Sequence, residues 1–255
     1  MIELRTPAEI EAMKAAGQFV ASVLTATSAA SAVGVNLLDL DRLAHDMIRK
    51  AGAESCYLDY HPSFGGSPFG KVICTSVNDA ALHGVPHSYK LKDGDVLSLD
   101  FAASVDGWVC DSAITVIVGT PRDEDARMIS VVERALEAGI AAAQPGGRMG
   151  DVSAAIGAIC LAEGFGVNTD FGGHGVGRTM HGDPHVPNNG RPARGMPLKP
   201  GLVFAIEPWL MLGTDKIYTD QNDGWTLRSV DGSRAAHVEH TIAITESGPV
   251  VLTAR

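Results

Sequence analysis

Gly34 precedes Asp39 by five residues and Gly52 follows it by thirteen, and Gly146, Asp151 and Gly164 repeat both intervals. Each set lies in a similar pair of helical patterns. Thr6-Pro7-Ala8-Glu9 reads as a capping box with Pro at the first helical position, in which the Thr oxygen and the returning Glu carboxylate satisfy otherwise unpartnered amides. Ile10, Met13, Gly17, Val20 and Leu24 then keep three- and four-residue spacing, and Leu37, Leu40, Ala44, Met47 and Ile48 form a second stripe that Gly52 ends. After Pro121 the pattern returns, with Ile129, Val132, Leu136 and Ile140 marking one helix and Val152, Ile156 and Ile159 the next. We read a duplicated unit, with halves near residues 1–120 and 121–255 of one domain.

Between and after the helix pairs the sequence turns to strand patterns, clearest over 96–104, 108–118, 202–210 and 235–244. Helices and strands in runs, without strict alternation, predict an α+β arrangement with an antiparallel sheet covered by helices on one face. Segments 59–71, 187–201 and 212–234 are rich in Gly, Pro, Asn or Asp and read as long loops. The first carries Tyr60, His61, Phe64 and Phe69, which suit either a pocket wall or a packed surface loop.

The 45 % of apolar residues can fill a substantial core. A net charge of −10 disfavours a nucleic-acid surface, which needs clustered Lys and Arg. No apolar run is long enough for a membrane span, and Glu3, Arg5 and Glu9 near the amino terminus are unlike an export signal. Cys56, Cys74, Cys110 and Cys160 lack CxxC spacing and read as free thiols of a reducing compartment, which predicts a cytoplasmic protein.

Asp106-Gly107 is a strong hairpin signal between two apolar strands. If Val105 opposes Trp108, Asp100 opposes Ala113 and Asp111 opposes Ala102, which makes the two aspartates diagonal neighbours on one face. Taken alone, such a pair either faces solvent or needs a proton or cation between its charges. Glu207 and Glu239 also interrupt core-like strands, and Gly172-Gly173-His174-Gly175 frames an imidazole with residues that permit close backbone approach. Asp100, Asp111, His174, Glu207 and Glu239 together make a dinuclear donor set, suited to manganese, iron(II), cobalt or zinc and to metal-assisted hydrolysis.

Leu82-His83-Gly84-Val85-Pro86, Asp100, Asp111, Gly173-His174-Gly175-Val176-Gly177, Met180-His181, Ile206-Glu207-Pro208 and Val238-Glu239-His240-Thr241 together resemble the methionine aminopeptidases. The match spans nearly the whole chain, in the family's order. The resemblance implies a pita-bread fold and one catalytic domain over 1–255. It implies an enzyme that removes the initiator methionine from nascent proteins, using a metal-bridged water as nucleophile. Asp100 would hold one of two divalent ions, Asp111 and Glu239 would bridge, and His174 with Glu207 would complete the second. Only 26 positions separate His181 from Glu207, leaving no room for the helical insertion of type II members, so the chain is similar to type I.

By the same resemblance His83, His181 and Glu207 are catalytic. Glu207 would relay a proton, His181 would contact the scissile carbonyl and His83 the scissile amide nitrogen. Tyr60, His61, Phe69, Cys74 and Trp225 are expected to wall an apolar pocket beside them. Cys74 matches a pocket cysteine of the family, whereas Tyr57 replaces its usual companion and the stretch between Tyr60 and Phe69 is lengthened. His45, His87, His185, His237 and His240 read as non-catalytic, the last two because strand alternation turns them away from the face of Glu239. The expected partners are nascent polypeptide N-termini, with the ribosome as one place to meet them, and the chain is expected to act as a monomer. Prolidases and proline-specific aminopeptidases share the ligand set; the extra amino-terminal domain common among them is expected to be missing. A non-enzymatic relative that works through partners would be expected to lack ligands, and here all five positions are filled.

Overall fold

The computed structural model describes residues 2–62 and 67–255; Phe64 lies outside them. Helices α1 (Pro7–Ala30) and α2 (Leu37–Ala51) lead through strands β1 (Glu54–Ser55), β2 (Cys74–Val77) and β3 (Ala80–Leu82) to the long pair β4 (Asp95–Val105) and β5 (Trp108–Val118). Helices α3 (Asp123–Ala142) and α4 (Met149–Ala162) follow, then β6 (Gly173–Gly175), β7 (Gly182–Val186), β8 (Val203–Ile206) and β9 (Trp209–Met211). The chain closes with β10 (Ile217–Thr219), β11 (Leu227–Ser229), β12 (Ala235–His237), β13 (Glu239–Thr245) and β14 (Gly248–Val251).

Local chemistry sets the helix ends. Thr6 and Glu9 form the expected capping box, with Thr6 N donating to Glu9 Oε2 at 2.8 Å and Glu9 N to Thr6 Oγ1 at 3.3 Å. The repeated glycines fold alike, since Gly34 and Gly146 precede α2 and α4 at φ +90° and +84°, and Gly52 and Gly164 follow them at φ +66° and +82°. Residues Asn36 and Arg148, each just before its helix, both make an isolated antiparallel bridge to a later segment, at Lys90 and Pro197.

Among the described residues, one antiparallel sheet runs β1-β4-β5-β13-β8-β6-β7, with β2 also on β4 and β14 on β13. Leu97, Leu99, Phe101 and Ala103 of β4 alternate into a core with Val20, Leu24 and Leu40 from the first helix pair. Phe204, Ile206 and Ile242 pack with Val132, Leu136 and Ile156 from the second. The intervening Ala102 and Ala205 belong instead to a cluster with Tyr57, Phe69, Cys74 and Trp225. Helices therefore cover one face of the central strands, and the site occupies the other.

Two expected strands are each divided. The pattern over 202–210 is β8 and β9, broken at Glu207-Pro208, and that over 235–244 is β12 and β13, broken at Val238. Proline has no amide to continue the ladder, so the chain leaves β13 after β8 and pairs β9 with β12 in a separate two-stranded sheet. The segment 212–234 is likewise not all loop, because β10 and β11 add to β3 there. Strands of three residues carry too little alternation to be read from sequence.

The C-terminal segment folds back on α1. A β-carbon at Gly17 would sit 2.0 Å from the Leu252 carbonyl oxygen, Leu252 N donates to Thr241 O at 2.9 Å, and Arg255 Nη1 donates to Ser112 Oγ at 3.1 Å. In an exposed helix Gly→Ala would stabilise by up to about 1 kcal/mol. Here the collision is with backbone, and Gly17→Ala is expected to destabilise instead, by about 1–3 kcal/mol. Urea denaturation of the variant measures the sign, and a gain in stability would show that this contact is absent.

Candidate metal centre

The centre begins with the hairpin. Asp106 and Gly107 both adopt positive φ, +52° and +72°, as a two-residue turn matched to strand twist requires. The resulting register pairs Val105 with Trp108, Asp100 with Ala113 and Ala102 with Asp111. The two aspartates thus face the same way as diagonal neighbours, as the turn predicts. Cys74 of β2 is the direct cross-strand partner of Asp100. Tyr57, just beyond β1, donates from Oη to Asp100 Oδ1 at 2.5 Å, with Asp111 Oδ1 at 3.3 Å.

The second half supplies the rest through its two strand breaks, which face each other. Val238 N donates to Pro208 O at 3.2 Å across the junction, which leaves Glu207 and Glu239 beside it. Glu239 also pairs with Ala113 of β5, next to the aspartates. His174 lies at the middle of β6, which is pressed between β7 and β8. A β-carbon at Gly173 would come within 2.1 Å of Ala205 O, and one at Gly175 within 1.9 Å of Asp183 O. Glycine on both sides is therefore the condition for bringing the imidazole this close. His174 Nε2 lies 3.8 Å from Asp111 Oδ2, 3.6 Å from Glu207 Oε1 and 3.9 Å from Glu239 Oε1.

One oxygen each of Asp100, Asp111 and Glu239 fall within 4.8 Å of one another, and so do donor atoms of His174, Glu207 and Glu239. Asp111, His174 and His181 form a third, overlapping group. Asp111 is 3 % and Glu239 2 % exposed. Burial first, then the charges of Asp100 and Glu207, push the Asp111 carboxyl well above its ordinary range. Burial, then Asp111 and Glu207, do the same to Glu239, whose Oε1 is buried with no hydrogen-bond partner. Glu207 behaves oppositely. Burial pulls its carboxyl up, but His237, His174 and His181 outweigh that and bring it down to about 2. An unpartnered oxygen among crowded carboxylates with one imidazole suits hard or borderline divalent cations, so the residues present fit a metal centre.

A cavity of about 290 Å³ opens beside these groups. Tyr60, Phe69, Cys74 and Trp225 line it as expected, with His83 and His181. His61 does not. It is exposed and absent from the lining, whereas its neighbour Tyr60 faces in, sharing a 2.8 Å hydrogen bond between Oη and His181 Nδ1. Phe69 stands edge-on to Trp225 with ring centroids 5.4 Å apart. His83, at φ +56°, lies edge-on to Phe171, and burial holds its imidazole below the usual histidine range despite the acids nearby.

Two participants were not read from the sequence, and a third, Tyr57, was read only as a pocket position. His185 lines the cavity. Tyr57 reaches two of the carboxylates. His237 was expected to turn away from Glu239, but residues two apart in a strand share a face, and His237 Nε2 lies 3.6 Å from Glu207 Oε2. The two-residue spacing of His237 and Glu239 was the available signal.

A profile of metallopeptidase family M24 matches residues 11–246, and the chain belongs to that family. It is 44 % identical to methionine aminopeptidase 1 of Mycobacterium tuberculosis over 260 residues, covering 99 % of this chain and 95 % of that one. It is 42 % identical to methionine aminopeptidase of Aquifex aeolicus over 255 residues, with 99 % and 98 % covered. A crystal structure of methionine aminopeptidase from Thermotoga maritima matches with a TM-score of 0.94 at 38 % identity, over 100 % of each chain. Within the family, the chain is therefore one of the methionine aminopeptidases, and the pita-bread fold implied by its motifs is the fold found. A prolidase from Pyrococcus furiosus shares that fold, with a TM-score of 0.79 at 22 % identity over 99 % of this chain and 65 % of that one.

The raised carboxyls carry a stability signature. Their folded-state pKa exceeds that of the unfolded chain, so the native state binds more protons and its advantage is complete below about pH 4. Stability is then lost as pH rises through the raised values of Asp111 and Glu239. Chelator-stripped wild-type protein is expected to lose melting temperature relative to chelator-stripped Glu239→Gln as pH increases from acid to neutral, and added manganese is expected to stabilise the wild type. A difference between the two that does not change with pH would contradict the raised carboxyl of Glu239.

Proposed function

We propose that the chain removes the initiator methionine from nascent polypeptides, with Asp100, Asp111, His174, Glu207 and Glu239 holding two divalent ions. The observation that carries this reading is the convergence of those side chains from distant stretches of chain onto the wall of one apolar-lined cavity. Asp100 would hold one ion, Asp111 and Glu239 would be shared between the two, and His174 with Glu207 would hold the other. Ions bound there supply Lewis acidity and bring the pKa of a water toward neutrality.

The chain's own residues do the rest. Glu207, kept ionised by the histidines beside it, accepts a proton and returns it to the leaving amine. His181 has Nδ1 engaged by Tyr60, which leaves Nε2 to meet the scissile carbonyl oxygen; one such donor contributes roughly 2.7–4 kcal/mol to the transition state. His83 contacts the scissile amide nitrogen. Tyr60, Phe69, Cys74 and Trp225 receive the substrate side chain, an unbranched thioether being well suited to an irregular apolar pocket.

Manganese, iron(II), cobalt and zinc all suit the donor set, and titrating stripped protein with each against Met-Ala-Ser identifies the working ion. We further infer a cytoplasmic monomer, a single catalytic domain over 1–255, that meets its substrates at or near the ribosome. Among the described residues no helix is long and apolar enough to cross a membrane.

Asp111→Asn and Glu239→Gln are expected to lose bound metal in calorimetry and to lower Met-Ala-Ser hydrolysis by more than the roughly 10- to 100-fold typical of a residue that only supports a ligand. Near-normal turnover with full metal content would defeat the bridging roles. His83→Ala should slow turnover while retaining metal. If it binds less metal, His83 is a ligand. Hydrolysis of Xaa-Pro peptides in preference to Met-Ala-Ser would redirect the assignment to a proline-specific peptidase.

A further inference from the structure

We propose that Tyr57 is a positioning residue for the metal centre: its phenol holds the Asp100 carboxylate in the orientation that ligates. The inference rests on the reading of Asp100 as a metal ligand.

Tyr57 is fixed from both ends. Its backbone follows β1 through a turn in which Ser55 Oγ accepts from Tyr57 N and Leu58 N, each at 3.2 Å, while Tyr57 O accepts from Tyr60 N at 3.0 Å. Its ring is 6 % exposed and stands edge-on to Phe69, with centroids 5.7 Å apart at 73°. A side chain held in this way delivers its hydroxyl to one place.

That place is Asp100 Oδ1, at 2.5 Å, with Asp111 Oδ1 more distant at 3.3 Å. A phenol has one proton to donate, and the shorter contact takes it. A carboxylate has about four acceptor positions, so accepting from Tyr57 leaves Asp100 able to ligate while removing its freedom to rotate. Asp100 needs such a donor because Asp111 and Glu239 lie within 4.8 Å of it. Their repulsion turns an unrestrained carboxylate away from its neighbours, and the hydrogen bond from the Tyr57 hydroxyl opposes the turn. Donors that orient a ligand in this way typically contribute 10- to 100-fold to metal affinity.

Tyr57→Phe tests this, because it keeps the ring and its packing against Phe69 and removes only the oxygen. Full-length protein is stripped with chelator and titrated with manganese in a calorimeter, and the cobalt(II)-loaded forms are compared by visible absorption, which reports the ligand field and is insensitive to distant packing. The expected result is a dissociation constant raised at least roughly 10-fold, with a changed cobalt spectrum. A constant within about twofold of wild type, or a tighter one, overturns the proposal. So does weaker binding with an unchanged cobalt spectrum, which would mean general loosening. If wild-type protein itself takes up no divalent ion, the metal-centre reading falls first.

Discussion

The structure depends on negative charges forced together where water cannot separate them. Asp111 and Glu239 are almost wholly buried, and Asp100 and Glu207 stand close enough to raise both. An isolated domain would be more stable with apolar residues at these positions, because paired charges seldom recover their desolvation cost. Much of the fold serves to keep that unfavourable group intact. One aspartate pair is set by a hairpin turn, one glutamate pair by two opposed strand breaks, and the histidine by a strand so narrow that only glycine fits on either side of it.

Each device comes from a different layer of organisation, which explains why the centre was unevenly legible in the sequence. The register of Asp100 and Asp111 follows from two residues of turn chemistry, a local rule. The helix caps and stripes are local as well, and so they too could be read. The division of 202–210 and 235–244 is only partly local: Pro208 marks the first break, but the pairing of β9 with β12 in a sheet apart from β8 and β13 is a long-range choice. Treating 235–244 as one strand kept Glu239 on the site's face; His237, two residues before it, shares that face, and turning it away was the misreading. The aromatic loop shows the same limit, since composition marked it as pocket-forming but could not separate Tyr60, which faces in, from His61, which is exposed.

The histidines around Glu207 divide the carboxylates into two kinds. His237, His174 and His181 hold Glu207 low, while Asp111 and Glu239 are driven high by burial and by the acids around them. Groups of one chemical type, a few ångströms apart, are thereby given different affinities for a proton. Such separation is how a single site combines a group that stays ionised with groups that await a cation. It also gives a role to His237, which is buried at the junction and does not line the cavity.

The last residues bear on this arrangement too. Arg255 donates to Ser112 Oγ, and Ser112 Oγ donates in turn to the backbone carbonyl of Glu239 at 2.6 Å. Ser112 is the residue after Asp111, so the guanidinium supports the backbone of both Asp111 and Glu239 from behind. The tail thus works as a buttress: trimming it would be felt first in the spacing of the two acids, well before the outline of the molecule changed.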